Sequence, residues 1–275
     1  MHAPQLLSLI PFLASAVLVA GSSARAAESD VESLAKAAQN PIADMISLPL
    51  LLNTNLNTGP YRKTQEVLNI QPVIPFHLNS DWNLITRTII PLISQPQLSP
   101  GADRTNGLGD IQFSAFFSPS RPSKWIWGAG VIVQAPSATD DVLGQGKWGL
   151  GPTAVALHME KGDPWVYGAL INNVWSVAGD GDRSKVNQML LQPFINYNLP
   201  HHPGRYLLFS PIITANWEAN GGNRWTVPLG LGIGQIMHWG KQPVNLQAGA
   251  YYNVARPDYA PNWNIRLQLQ FMFPK

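Results

Sequence analysis

The chain ends in "WNIRLQLQFMFPK", and the alternation in that stretch constrains the fold more than any other feature. Trp263, Ile265, Leu267, Leu269, Phe271 and Phe273 are apolar at every second position, with Asn264, Arg266, Gln268 and Gln270 between them. A period of two puts the two sets on opposite faces of an extended strand. The apolar face is unbroken, so it must meet either a protein core or lipid.

The same alternation recurs in twelve segments: 47–56, 67–78, 82–93, 110–118, 125–135, 147–158, 165–177, 187–198, 206–217, 225–237, 244–254 and 263–273. Each is close to the roughly 9–11 residues that a tilted strand needs to cross a bilayer. The connections after odd strands, such as "SQPQLSPGADRTNGLG" and "PSATDDVLGQG", are longer and more polar than those after even strands, such as "NSD" and "HWGKQP". Long outer loops and short periplasmic turns are the pattern of bacterial outer-membrane barrels. Charged residues make up only 12 % of the chain, about half the ~25 % usual for a soluble domain. Yet no apolar run past the leader approaches the ~20 residues of a membrane helix. The expected fold is all-β: a 12-stranded antiparallel transmembrane β-barrel with a short N-terminal helix. A soluble barrel or sandwich would need the same alternating faces.

Position of the charged and aromatic residues favours lipid. The outward sets, for example Leu84, Thr86, Thr88, Ile90 and Leu92, or Trp225, Val227, Leu229, Leu231 and Ile233, hold no Asp, Glu, Lys or Arg. His158 and Asn173 blur the choice of face on the sixth and seventh strands. Arg87 and Arg266 fall on inward positions, as they must, since a basic group at the lipid midplane costs about 2–4 kcal/mol. Trp82, Trp125, Trp127, Trp165 and Trp239 mark one set of strand ends, and Trp148, Trp175, Trp217, Trp225 and Trp263 the other. Such rings form girdles at the two headgroup regions.

Residues 1–26 read as a signal peptide, with the apolar run "LLSLIPFLASAVLVA" and Ala24-Arg25-Ala26 as the cleavage site. A retained membrane anchor is the rival reading. Residues 27–46 read as a periplasmic N-terminal helical segment or plug broken at Pro41, and residues 47–275 as the outer-membrane β-barrel. The absence of cysteine excludes disulfides, thiolate metal sites and a Cys nucleophile. Of the 18 basic residues Arg25 leaves with the leader, so 17 face 16 acidic ones. That near balance gives nucleic acid no purchase as a partner. The expected partners are outer-membrane lipid, the barrel-assembly machinery acting through the C-terminal strand, and a small-molecule solute. On that strand Phe273 is followed by Pro274 and Lys275, which displaces the terminal aromatic.

Several stretches carry a family resemblance: "AKAAQNPIADMISLPL", "VLNIQPVIPF", "WNLITRTIIPLI", "GLGDI", "TDDVLGQGKWGLGP", "QMLLQPFINYNLP", "SPIITANWEA", "RWTVPLGLGIG" and "KQPVNLQAGAYYNV". Over nearly the whole mature chain they resemble bacterial outer-membrane proteins grouped as components of a meta-pathway for phenol degradation, many of which carry the name neuromedin U. The resemblance implies a transporter-like outer-membrane barrel for an aromatic or hydrophobic compound. It supplies no catalytic residues.

The residues themselves give little for catalysis. No histidine has Ser two positions on: His77 meets Asn79, His158 meets Glu160 and His238 meets Gly240. Asp140 and Asp141 share a loop with no histidine, and no G-x-S-x-G is present. His201 and His202 lack a third ligand, and Asp180 and Asp182 lack the twelve-residue calcium-loop pattern. The expected catalytic, cofactor-binding and metal sets are therefore empty. The expected lumen wall is Asn69, Gln71, Arg87, Gln188, Gln192, Asn196, Asn245, Gln247, Asn264, Arg266, Gln268 and Gln270. Amides with a few guanidiniums hydrogen-bond water and small polar solutes and weakly favour anions. Gly128, Gly130, Gly230, Gly232 and Gly234 leave room where something approaches closely. The reading is an outer-membrane channel or transporter for passive or facilitated uptake of a small solute. The alternatives are a structural or partner-binding barrel without transport, and an outer-membrane enzyme.

Overall fold

Alternating residues and glycine- or asparagine-bearing turns build twelve antiparallel strands, described by a computed structural model over residues 25–121 and 123–274. Three strands are interrupted. The strands are β1 (Ile46–Thr58), β2 (Lys63–Ile70, resuming as Val73–His77), β3 (Trp82–Gln95) and β4 (Thr105–Leu108, resuming as Ile111–Pro119). They continue as β5 (Trp125–Ala135), β6 (Lys147–Met159), β7 (Trp165–Gly179) and β8 (Asn187–Asn198). The last are β9 (Arg205–Phe209, resuming as Ile213–Asn216), β10 (Trp225–Trp239), β11 (Gln242–Ala255) and β12 (Trp263–Phe273). Each pairs with its sequence neighbour, and β12 returns to β1 from Ile46↔Phe273 to Leu56↔Trp263. Closure leaves no sheet edge, the condition for a sheet to cross hydrocarbon.

Among the described residues one helix precedes β1, α1 (Arg25–Gln39). It ends where Asn40 Oδ1 accepts the Ile42 amide (3.0 Å), just beyond Pro41. The expected leader lies outside the described residues except for 25 and 26, which open α1.

Strand positions match the sequence reading, and their ends differ from it in instructive ways. β2 starts at Lys63, so the first outer connection is a tight turn instead of a long loop. Asn57, Gly59 and Arg62 all take left-handed backbone to make it (φ 60°, 75° and 52°). Amide side chains then carry the pairing above the apolar band: Asn55 Nδ2 donates to Gln65 Oε1 (2.8 Å), and Gln65 Nε2 donates to Gln95 Oε1 (2.5 Å). Likewise β4 begins at Thr105, which shortens the second outer connection to 96–104. The breaks in β2 and β9 fall at Gln71-Pro72 and Ser210-Pro211-Ile212, where proline cannot donate to the ladder. The break in β4 falls at Gly109-Asp110.

The outer surface is apolar between two aromatic belts. Leu231 is 67 % exposed and Leu229 50 %, both on the outward face of β10. His158 and Asn173 prove to be outward residues within the belts. The His158 ring stacks on Tyr167 (5.1 Å) and meets the Trp125 edge (5.2 Å). Asn173 Oδ1 accepts from Trp217 Nε1 (2.8 Å) and its Nδ2 donates to Asn187 (3.0 Å). Asn173 thus has hydrogen-bond partners and His158 ring contacts at headgroup depth, where polarity is tolerated.

Candidate solute pathway inside the barrel

Inward positions share one direction but not one chemistry. Toward the end that carries the termini, Val73, Ile85, Phe116, Val155, Leu157, Val166, Leu170 and Phe194 form a single buried cluster contributed by β2, β3, β4, β6, β7 and β8. Ile42, from the segment before β1, sits in that cluster and is 3 % exposed. Burying such a side chain stabilises its position by roughly 1.5–3 kcal/mol. Gly128 makes room for it, because a Cβ there would stand 3.1 Å from Ile42 Cδ1.

The helix lies across the same end. Ala35, Ala43 and Met45 pack with Ile236 of β10 and Met272 of β12. Lys36 Nζ donates to the Glu160 carbonyl (2.7 Å), in the turn between β6 and β7. Gln39 Nε2 donates to Asn198 Oδ1 (2.8 Å) at the end of β8. The Asp44 carboxylate meets His77 Nε2 at the end of β2 (2.8 Å). Residues 31–45 therefore touch most of the strands around this mouth.

On the loop side of the apolar cluster is a cavity of about 350 Å³. Asn69, Gln71, Arg87, Gln192, Gln247, Arg266 and Gln268 line it. Apolar side chains that sequence reasoning omitted line it too: Leu51, Ile89, Phe116, Ile132, Leu170, Leu190 and Leu208. They occupy inward positions of the same alternation, and only the polar inward residues had been counted as lumen. Of the remaining expected wall residues, Asn264 lies toward the outer rim and donates to Asn55 Oδ1 (2.8 Å). Gln188 is half-buried and pairs with Val174 and Asn216 across the strands. Asn196, Asn245 and Gln270 are buried toward the end that carries the termini.

Two of these belong to a buried network that borders the cavity through Gln247. The Tyr206 hydroxyl donates to Asn245 Oδ1 (2.8 Å) and accepts from Gln247 Nε2 (3.0 Å), and Asn245 Nδ2 donates to Gln270 Oε1 (3.1 Å). Gly234 admits the Tyr206 ring, since a Cβ there would lie 2.2 Å from Cζ. The network ties β9, β11 and β12 together through buried groups that each have a partner.

Two guanidiniums enter the cavity. Arg87 Nη2 donates to Gln71 Oε1 (2.6 Å). Arg266 stacks over the Tyr251 ring (4.3 Å), donates from Nε to Asn264 (2.7 Å), and reaches the Ser210 carbonyl (2.7 Å), which the break in β9 frees from the ladder.

One outer loop folds onto the inner wall. Thr139 Oγ1 accepts the Leu108 amide (3.1 Å), Ser137 Oγ accepts the Ile111 amide (2.8 Å), and Leu143 is 5 % exposed. Asp110 anchors this loop by accepting the Ala138 and Gln145 amides (3.2 and 2.6 Å). A Cβ at Gly107 would strike Thr139 and Leu143. The stretches "GLGDI" and "TDDVLGQG" are thus two halves of one packed feature.

All ten tryptophans are exposed, between 37 and 56 %. Trp82 meets Trp127 (6.0 Å) and Trp165 meets Tyr197 (4.6 Å) at the end with the termini. Trp217 meets Trp225 (5.6 Å) and Trp263 meets Tyr252 (5.2 Å) at the other end. Two belts of paired rings flank an apolar surface on a closed sheet. The chain is an outer-membrane β-barrel.

Comparison with known proteins agrees at the level of the fold. An outer membrane channel from Pseudomonas putida F1 superposes with a TM-score of 0.63 at 17 % identity, over 85 % of this chain and 96 % of that one. Outer membrane phospholipase A from Escherichia coli gives a TM-score of 0.45 at 13 % identity, over 90 % and 98 % of the two chains. No family model matches the sequence, and no curated protein is similar to it at a significant level. The outer-membrane barrel implied by the sequence resemblance therefore stands, while the phenol-degradation assignment has no support from these comparisons.

Among the described residues no group of three or more His, Asp or Glu side chains is placed to hold a metal ion. In the 179–183 stretch Asp180 Oδ1 accepts the Asp182 amide (2.9 Å), an ordinary side-chain-closed turn.

Proposed function

We propose that this barrel is a channel for passive or facilitated uptake of a small solute across the outer membrane, held closed at its periplasmic end by residues 28–45. One observation carries the reading: Ile42 is buried inside the wall, among side chains of six strands. A segment that only decorated the mouth would have no reason to place an isoleucine there. The wide channel that twelve strands could enclose is therefore occupied, and the solute cavity lies above the occupied part. A plug that docks through a few apolar contacts and edge hydrogen bonds can be displaced without unfolding the sheet. The similar channel from Pseudomonas putida F1 adds weight to a channel role. The apolar inward residues Phe116, Ile132 and Leu170 suit an aromatic or hydrophobic solute body, as the family resemblance implies. No cofactor and no energy coupling enter this scheme, and the C-terminal strand serves as the signal for barrel assembly.

Planar-bilayer recording tests the proposal. Deleting residues 28–45 should raise single-channel conductance several-fold over the full chain. Equal conductance in the two proteins would refute the plug, and an absence of conductance and of liposome swelling in both would refute the channel.

A further inference from the structure

We propose that the cavity above the plug selects small amphipathic carboxylates, single-ring aromatic acids being the class that fits, with Arg87 holding the carboxylate, Arg266 adding positive charge elsewhere on the cavity wall, and Phe116 and Ile132 holding the hydrocarbon body. The inference rests on the uptake reading and names the substrate class for that same cavity. Its volume, about 350 Å³, lies within the roughly 300–1,000 Å³ of sites that enclose one small organic molecule.

Charge is the decisive feature. Among the described residues neither Arg87 nor Arg266 has a carboxylate within ion-pair distance. Asp110 is the one carboxylate on the cavity wall, and its oxygens accept the Ala138 and Gln145 amides and Gln134 Nε2. Two cations thus share the cavity with one anion that is committed to the loop. Arg87 makes a single hydrogen bond, to Gln71, and a guanidinium has five donors. A half-buried cation without a counter-ion attracts an entering anion more strongly than a fully solvated one would.

Both cations line the cavity, on separate parts of its wall. Arg87 is on β3 and Arg266 on β12, with β1 and β2 between them, and the register Arg266↔Asn53↔Val67↔Ile93 sets Arg266 further toward the loops along the sheet. Beside Arg87 stand Phe116 and Ile132: Ser114 of β4 is paired with Arg87 on one side and with Ile132 of β5 on the other, and Phe116 lines the cavity two residues further on. A ligand whose carboxylate meets Arg87 lays its hydrocarbon along Phe116 and Ile132. A planar carboxylate matches the guanidinium fork. A neutral phenol would leave both cations without a counter-charge, and acetate would leave the apolar wall uncovered.

Equilibrium binding to the full-length protein in detergent tests this, with sodium benzoate, benzyl alcohol and sodium acetate as probes and calorimetry as the readout. Benzoate should bind at least about tenfold more tightly than either of the others, the ratio expected for one charge-assisted hydrogen-bond pair. Arg87→Gln should bring benzoate to the level of benzyl alcohol, and Arg87→Lys should restore part of the difference. Heat-dependent gel mobility confirms that each variant is a closed barrel. Arg266 also ties Tyr251 and Ser210 in place, so Arg87 is the informative position. Equal binding of benzoate and benzyl alcohol, no saturable benzoate binding, or benzoate binding unchanged in Arg87→Gln would each overturn the proposal. Its failure is distinct from failure of the uptake reading: conductance after deletion of residues 28–45 with no benzoate preference leaves uptake standing. Benzoate binding without conductance or swelling makes the protein a binder and removes the channel.

Discussion

The two halves of the barrel interior are built from the same kind of position and behave in opposite ways. Near the termini, inward residues such as Ile85, Leu157, Val166 and Phe194 close on Ile42 and exclude water. Near the loops, inward residues such as Gln71, Arg87, Gln192 and Gln268 surround open space. Outside, both halves present the same apolar surface to lipid. The alternation that commits a strand to a membrane barrel therefore fixes direction alone. Depth decides whether an inward side chain packs or is hydrated, and depth is set by what the N-terminal segment brings into the lumen.

The largest expected contrast between the halves comes from placing a carboxylate in each. Leu157 is fully buried, so Leu157→Asp should cost about 5 kcal/mol or more, since an unpaired buried charge has no solvation to replace what it loses. Gln268→Glu, beside Arg266 in the open half, should change stability by less than about 1 kcal/mol. Urea titrations of the compact gel band give both values, and similar costs would erase the distinction between the halves.

A smaller effect should reach the plug without touching the wall. Ile42→Ala removes about 2–5 kcal/mol of docking, and Gly128→Val pushes on the same side chain from the opposite side, a Cβ alone being 3.1 Å from it. Both should raise the open fraction in bilayer recordings while the unfolding midpoint of the barrel stays in place. A parallel fall in that midpoint would show that the segment is part of the sheet's own core.

Tyr206→Phe probes the buried polar network that borders the open half. It leaves Asn245 and Gln247 each short of a partner and should destabilise the barrel by about 1–3 kcal/mol, read from circular dichroism in urea. Smallest is Trp217→Phe, which keeps a ring in the outer belt but loses the bond to Asn173. It should cost about 0.5–1.5 kcal/mol by the same measurement.

Much of this architecture was legible in the residues. Twelve alternating segments, outward faces free of charge across the apolar band and tryptophan at both strand ends follow from backbone period and from the cost of charge in hydrocarbon. The partition of the lumen was not legible, because Val155 and Thr153 occupy equivalent positions in the pattern and differ only in what faces them across the barrel. Nor were the short first turn and the inward loop. The first depends on Asn57 and Arg62 adopting left-handed backbone. The second depends on a pairing of Asp110 with amides 28 and 35 positions away. The breaks at Pro72 and Pro211 could have been read, since proline interrupts a ladder wherever it must donate.

The central claim, a lumen sealed below and open above by one docked segment, is tested most directly by thiol access. The native chain contains no cysteine, so Val155→Cys and Gln268→Cys each report on one site. With a small membrane-impermeant methanethiosulfonate reagent, Gln268→Cys should label readily and Val155→Cys should not, until residues 28–45 are deleted and the two label alike. Equal labelling in the full-length protein would contradict the account.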